Sequence, residues 1–167
     1  MQNKRSQVLQ IDNQDFGRAG KYLTFRLAEE EYGLEILKVR TIIELMDITP
    51  VPKSPHYVKG VIDLRGELIP IVDLRARFGM SKVETSYETV IIVVEARSEG
   101  GNVDVGLLVD SVSEVLDISE EDIDDSPAMG ESVKSEDIRG IAKTKNSIKI
   151  LLNIDSVLAG FNYKAAV

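Results

Sequence analysis

At 167 residues with 43% hydrophobic content, the chain has room for one domain or two small subdomains packed together. Its net charge of −8 disfavours nucleic acid and anionic lipid as partners, and it has no apolar run near the roughly 18 residues of a membrane span. The absence of cysteine excludes disulfides, thiolate metal sites and cysteine nucleophiles.

Residues 1–19 are polar and aperiodic and are expected to form a flexible tail. No apolar stretch follows the basic start, so no secretory signal is expected, and the cytoplasm is the expected compartment. Tyr22 to Leu27 alternates as a strand, Glu29-Glu30-Glu31 turns, and Tyr32 to Ile36 returns. Val39 to Leu45 continues as β structure. Pro50, Pro52 and Pro55 make the next stretch a loop, because proline has no amide donor. Val58 to Leu64 and Leu68 to Leu74 form strands around a tight turn at Arg65-Gly66-Glu67. Pro70 argues for an edge or a bulge there. Leu74 to Gly79 reads as one helical turn ended by glycine.

The pattern then recurs. Val90 to Val94 is an unbroken apolar run, as in a strand covered on both faces. Gly100-Gly101-Asn102 is a hairpin turn, and Val103 to Val109 and Val112 to Ile118 follow. Ser119-Glu120-Glu121-Asp122 resembles a helix cap. Residues 119–137 are loop-like and acidic, Ile138 to Ile154 is again strand-turn-strand, and Asp155 to Gly160 is a last helical turn.

This recurrence is an internal duplication. Gly60 to Leu74 lies over Gly140 to Ile154 without a gap, and Gly33 to Leu45 lies over Gly106 to Ile118. The copies differ in charge: residues 1–82 carry a net +2 and residues 83–167 a net −10. About five short strands per copy predict an all-β fold of two SH3-like five-stranded β-barrel subdomains around a shared hydrophobic seam, with short helical turns. Their bounds are about 22–82 and 88–158 within a folded region of 20–160, with room for strand exchange, and 161–167 form a C-terminal tail. Ile91 to Val94 and Ile150 to Leu152 are candidates for the seam.

Assembled chemistry is missing from the sequence. His56, the one histidine, has no strained serine elbow to serve. There is no phosphate-binding glycine loop and no histidine-rich metal motif. The acidic stretch from Asp117 to Asp125 lacks the glycine a calcium loop needs and is interrupted by Ile123. No enzyme activity, cofactor or metal is therefore expected. The informative residue is Arg65 at a hairpin tip, where a planar cationic fork makes a good interface anchor.

At these motifs the chain resembles CheW-type chemotaxis coupling proteins. The resemblance rests on Glu31 to Val39, Pro50-Val51-Pro52, Lys59 to Arg75 with its Leu-Arg-Gly turn and Ile-Pro-Ile-Val-Asp-Leu-Arg run, and Val105 to Leu116. It implies a non-catalytic adaptor, a monomer in isolation, that couples the cytoplasmic tips of chemoreceptors to the regulatory domain of the histidine kinase CheA. It would be recruited to membrane-associated receptor arrays without inserting into the membrane. An alternative is a coupling protein of a non-flagellar pathway, such as pilus motility or second-messenger control. By position, the resemblance implies a receptor groove of Ile36, Val39, Ile42, Val90 and Val112, and places Gly60 and Arg65 in coupling to the kinase array. One departure is Thr41, where many relatives of this kind carry an acidic residue.

Overall fold

The structure is a computed structural model that describes residues 17–98, 101–125, 135–145, 147–160 and 162–163. Its strands are β1 (Gly20–Leu27), β2 (Glu30–Glu35), β3 (Val39–Glu44), β4 (Val58–Leu64), β5 (Glu67–Asp73), β6 (Val90–Ser98), β7 (Gly101–Val109), β8 (Ser111–Ile118), β9 (Ile123–Asp124), β10 (Ile138–Lys143) and β11 (Ile148–Leu152). Two short helices, α1 (Leu74–Arg77) and α2 (Ile154–Val157), follow β5 and β11. A 3-10 turn, Ile36–Lys38, joins β2 to β3.

The strands form two sheets that do not follow the chain halves 22–82 and 88–158. Sheet one runs β8-β1-β2-β11-β10-β9 and sheet two runs β3-β6-β7-β5-β4. The first hairpin of each copy thus pairs in the sheet of the other. Each sheet closes through one parallel contact, β2 with β11 and β5 with β7. The six strands of sheet one reduce to the five of an SH3-like barrel, because β8 and β9 lie in succession as one bent path. In sheet two the same closure is a single bridge, Thr49 with Val61.

The duplication holds at atomic detail. Gly33 lies opposite Leu151 and Gly106 opposite Ile71 in the two parallel contacts. A Cβ at Gly33 would fall 2.8 Å from Leu151 Cδ2, and one at Gly106 would fall 2.5 Å from Ile71 Cδ1. Both copies therefore use glycine where the partner strand's side chain already fills the space. Asp73 and Asn153 also match as N-caps: Asp73 accepts the Arg75 and Ala76 N–H groups of α1, and Asn153 accepts the Ser156 N–H of α2.

The largest apolar cluster draws on both sheets and is the seam. It includes Leu23, Phe25 and Tyr32 from sheet one, Ile92, Val94 and Val105 from sheet two, and residues of both helices. Each barrel interior is smaller: Tyr22, Ile118, Ile123, Ala142 and Leu151 in one, and Ile62, Ile69, Ile71, Ile91 and Val93 in the other. The two runs expected in the seam contribute only alternate residues. Ile92, Val94, Ile150 and Leu152 face it, whereas Ile91, Val93 and Leu151 fill the barrels, as the two-residue period of a strand requires.

Three local expectations are corrected. Pro70 lies not at an edge but in a central strand, since β5 runs between β7 and β4, and the expected bulge falls in its partner strand, between Val58 and Gly60 of β4. The ladder tolerates Pro70 because its partner Val61 gives both backbone groups to Thr49. The short helical turn expected after Ser119 forms as the 3-10 turn Glu120–Asp122, but without the cap bond to the backbone, since the Ser119 hydroxyl donates to Asp122 Oδ2 instead. Tyr163, assigned to a C-terminal tail, is buried in the seam cluster. At the other end, Arg18 of the expected N-terminal tail is tied to Glu120 and Asp125 at 2.5 and 3.0 Å. Gly100, residues 1–16 of the N-terminal tail, and residues 161 and 164–167 of the C-terminal tail lie outside the described residues.

Candidate functional site

Opposed residues of an antiparallel pair point to one face. Val39 stands opposite Val94, Ile42 opposite Ile92, and Val90 opposite Glu44. Since Ile92 and Val94 belong to the seam cluster, Val39, Ile42 and Val90 lie on the seam side of sheet two. Val112 stands opposite Phe25, also a seam residue, in sheet one. Ile36 sits in the 3-10 turn that carries the chain from one sheet to the other.

Ile36, Val39, Val90 and Val112 are partly buried and pack against the seam cluster, while Ile42 is 41% exposed on the outer strand β3. Val39 and Val112 are repeat counterparts. Each sits beside a bulge in its outer strand, at Arg40 in β3 and at Ser113 in β8. A bulge bends and twists a strand, so the two bulges shape the two flanks of the seam alike. Sequence reasoning missed Leu37, the neighbour of Ile36, which is 94% exposed. An apolar residue between Glu35 and Lys38 was the available signal.

Gly60 and Arg65 lie elsewhere, in the β4–β5 hairpin. Arg65 and Gly66 have φ of 55° and 87°, the signature of a two-residue type I′ turn. Asp63 Oδ1 accepts the Gly66 N–H at 2.8 Å and steadies the turn. Asparagine or glycine suits the first central position better than arginine, whose left-handed backbone is strained. The turn carries Arg65 to the mouth of the second barrel, where it is exposed. Arg65 lines a cleft of about 510 Å³ with Arg40, Thr41, Glu67, Val93 and Asp104. Arg40 pairs with Asp104 at 3.5 Å, a contact the sequence did not reveal. Among the described residues Arg65 has no ion-pair partner. Thr41, the departure noted in the sequence, shares this cleft with Arg65.

His56 is engaged locally. Its Nε2 lies 3.2 Å from the Ala76 carbonyl oxygen, and its ring meets Tyr57 edge-on. Among the described residues no group of three or more His, Asp or Glu side chains could hold a metal ion, and no helix is long and apolar enough to cross a membrane.

Comparison with known proteins gives the same picture along the chain. Residues 21–161 match the CheW-like domain family. A chemotaxis protein CheW from Rhizobium meliloti (strain 1021) is 38% identical over 144 residues, covering 86% of this chain and 90% of its own. Its counterpart in Thermotoga maritima is 37% identical over 145 residues, covering 87% and 91%. The crystal structure of the scaffolding protein TtCheW from Thermoanaerobacter tengcongensis superposes with a TM-score of 0.76 at 35% identity, covering 85% of this chain and 94% of that one. The match spans both barrels and the seam between them, and the chain belongs to the CheW-like domain family.

Proposed function

We propose that this protein is a non-catalytic adaptor of chemotaxis signalling that joins chemoreceptors to the histidine kinase CheA. The observation that carries the reading is the seam between the barrels. It presents Ile36, Val39, Val90 and Val112 partly buried over a common core, with Ile42 and Leu37 exposed beside them. An amphipathic helix needs such an apolar groove for its i, i+3, i+4 stripe, and the cytoplasmic tip of a chemoreceptor offers helices of that kind. The relatives matched along most of their length are chemotaxis proteins CheW, which favours the chemotaxis reading over a pilus or second-messenger pathway.

The hairpin tip supports a second contact on the same adaptor. Arg65 is a strained, exposed cation with no ion-pair partner among the described residues, suited to a carboxylate on the kinase regulatory domain. Gly60 supports this hairpin from below, through its packing on Thr49. On this reading the protein acts in the cytoplasm, at membrane-associated receptor arrays.

Titration with the purified regulatory domain of the cognate kinase tests the proposal. An interface near ~1,600 Å² should give micromolar or tighter binding; no binding at high micromolar concentration would reject it. Arg65→Ala should leave the melting temperature within about 2 °C of wild type, since the residue is exposed at a hairpin tip. It should weaken assembly of the receptor–kinase complex about tenfold, as loss of a charged interface anchor does. Undiminished assembly in a sedimentation assay would remove Arg65 from the interface. Val39→Asp should cost receptor-tip binding about tenfold or more while kinase binding changes about twofold at most. Equal loss of both, with a collapsed melt, would make Val39 a core residue only.

A further inference from the structure

The chain crosses between the sheets twice, and each crossover is tied down by an aspartate. The first crossover is the 3-10 turn between β2 and β3, where Lys38 Nζ donates to Asp155 Oδ2 of α2 at 2.9 Å. Asp155 Oδ1 also accepts the Arg97 N–H of β6 at 2.9 Å. The second crossover lies between β7 and β8, at Asp110. Arg75 of the α1 turn donates Nε to Asp110 Oδ1 at 2.8 Å and Nη2 to Oδ2 at 2.6 Å. Asp110 Oδ2 also accepts the Ala28 N–H, from the turn between β1 and β2, at 2.8 Å. Each aspartate thus binds a helical turn, a crossover and the far sheet together.

In the duplication Arg75 overlies Asp155, and Lys38 falls one residue past the position that overlies Asp110, so the two ties occupy neighbouring repeat positions with the charges reversed. In one the cation sits on the helical turn and the acid on the crossover; in the other the places are exchanged. The ties also differ in stiffness. The Arg75 fork is bidentate, and its third nitrogen, Nη1, donates to the Ser81 carbonyl at 3.0 Å. Lys38 makes one point contact from a flexible stem, and both partners are about 30% exposed, at 29% and 31%. At each aspartate burial would raise the carboxyl, but the cation and the backbone N–H outweigh it and hold the group below its ordinary value.

The groove residues flank these ties. Ile36 and Val39 stand on either side of Leu37-Lys38, and Val112 lies two residues past Asp110. We propose that the groove has one fixed and one yielding wall: the Arg75–Asp110 fork holds the Val112 side, and the single Lys38–Asp155 contact lets the Ile36–Val39 side move aside when a helix enters. Lys38 and Asp155 are then positioning residues for helix binding. This inference rests on the receptor-groove reading above for its occupant, but not for the inequality of the walls.

Hydrogen exchange on the full chain tests it, with and without a purified receptor-tip fragment. In the free protein, amides of 36–39 should exchange faster than those of 110–112. Lys38→Met should speed exchange at 36–39 about fivefold and leave 110–112 unchanged, and Lys38→Arg should restore the slow rate. Tip binding by Lys38→Met should change severalfold in rate while the melting temperature stays near wild type. Equal exchange at both crossovers in wild type, or equal acceleration of both in Lys38→Met, would overturn the proposal. A wild-type chain that shows unequal exchange but does not bind the tip would refute the receptor reading and leave the two walls standing.

Discussion

Replacing Gly60 with alanine is expected to destabilise the protein by about 3 kcal/mol or more. A Cβ at Gly60 would lie 2.0 Å from the Thr49 carbonyl oxygen, 2.6 Å from Thr49 C and 2.9 Å from Pro50 Cα. All three are backbone atoms, so no side chain can rotate away. The residue also holds φ at +145°, a conformation that L side chains rarely adopt. What must give is the pair of hydrogen bonds between Thr49 and Val61, at 2.9 and 2.8 Å, that closes the second barrel. Gly140, the repeat counterpart, supplies the control. Its added Cβ would meet Ile123 Cγ2, a side-chain methyl, at 2.4 Å and one backbone atom, Asp124 O, only at 3.1 Å, and its φ lies outside the left-handed region. Gly140→Ala should therefore cost less, about 1–2 kcal/mol. Urea unfolding of both variants decides the matter; a Gly60→Ala loss no larger than that of Gly140→Ala would remove the backbone clash as the cause. Any loss of kinase coupling in a Gly60 variant should then follow its loss of fold.

Tyr32→Ala should cost about 3–5 kcal/mol, the range for emptying a large aromatic site in a core. Tyr32 stacks on Phe25 at 5.8 Å and on Phe78 at 6.0 Å, with the rings within 22° and 18° of parallel. Phe25 and Tyr32 belong to sheet one, and Phe78 follows α1 beside sheet two, so this stack fastens one barrel to the other. Burial pushes the Tyr32 hydroxyl up to about 12, with the nearby Glu30 charge adding to the effect, so the ring stays neutral at physiological pH. For a chain of this size the loss corresponds to a fall of roughly 10 °C or more in melting temperature. Tyr32→Phe keeps the stack and should fall by no more than a few degrees. Similar falls in both variants would place the stabilisation in the hydroxyl and not in the stacked rings.

Much of the fold was legible because strands announce themselves locally. Alternation at Tyr22–Leu27, the unbroken run Ile91–Val94 and the Arg65-Gly66 turn depend on residues a few positions apart. The duplication added the second barrel at no further cost in inference. The pairing of β1–β2 with the late strands, and of β6–β7 with the early ones, was not legible. Each contact joins residues about 90 or more positions apart in one case and crosses the repeat boundary in both. No local pattern states which of two similar sheets a hairpin will join.

The site divides in the same way. The proposed groove residues come from motif resemblance, and their placement along one seam follows from cross-strand register, which periodicity cannot supply. Tyr163 was read as tail because a lone aromatic past the last helix carries no period.

By itself, then, the sequence determined two copies of a small β unit and a polar turn with an arginine at its tip, because each is written in short-range order and residue type. Only the tertiary structure decided that the copies exchange hairpins, that the main core lies between the barrels, and that Asp110 and Asp155 tie the crossovers with reversed charges. Those features depend on contacts between distant segments, where burial and charge pairing select one partner among several that the local sequence would accept.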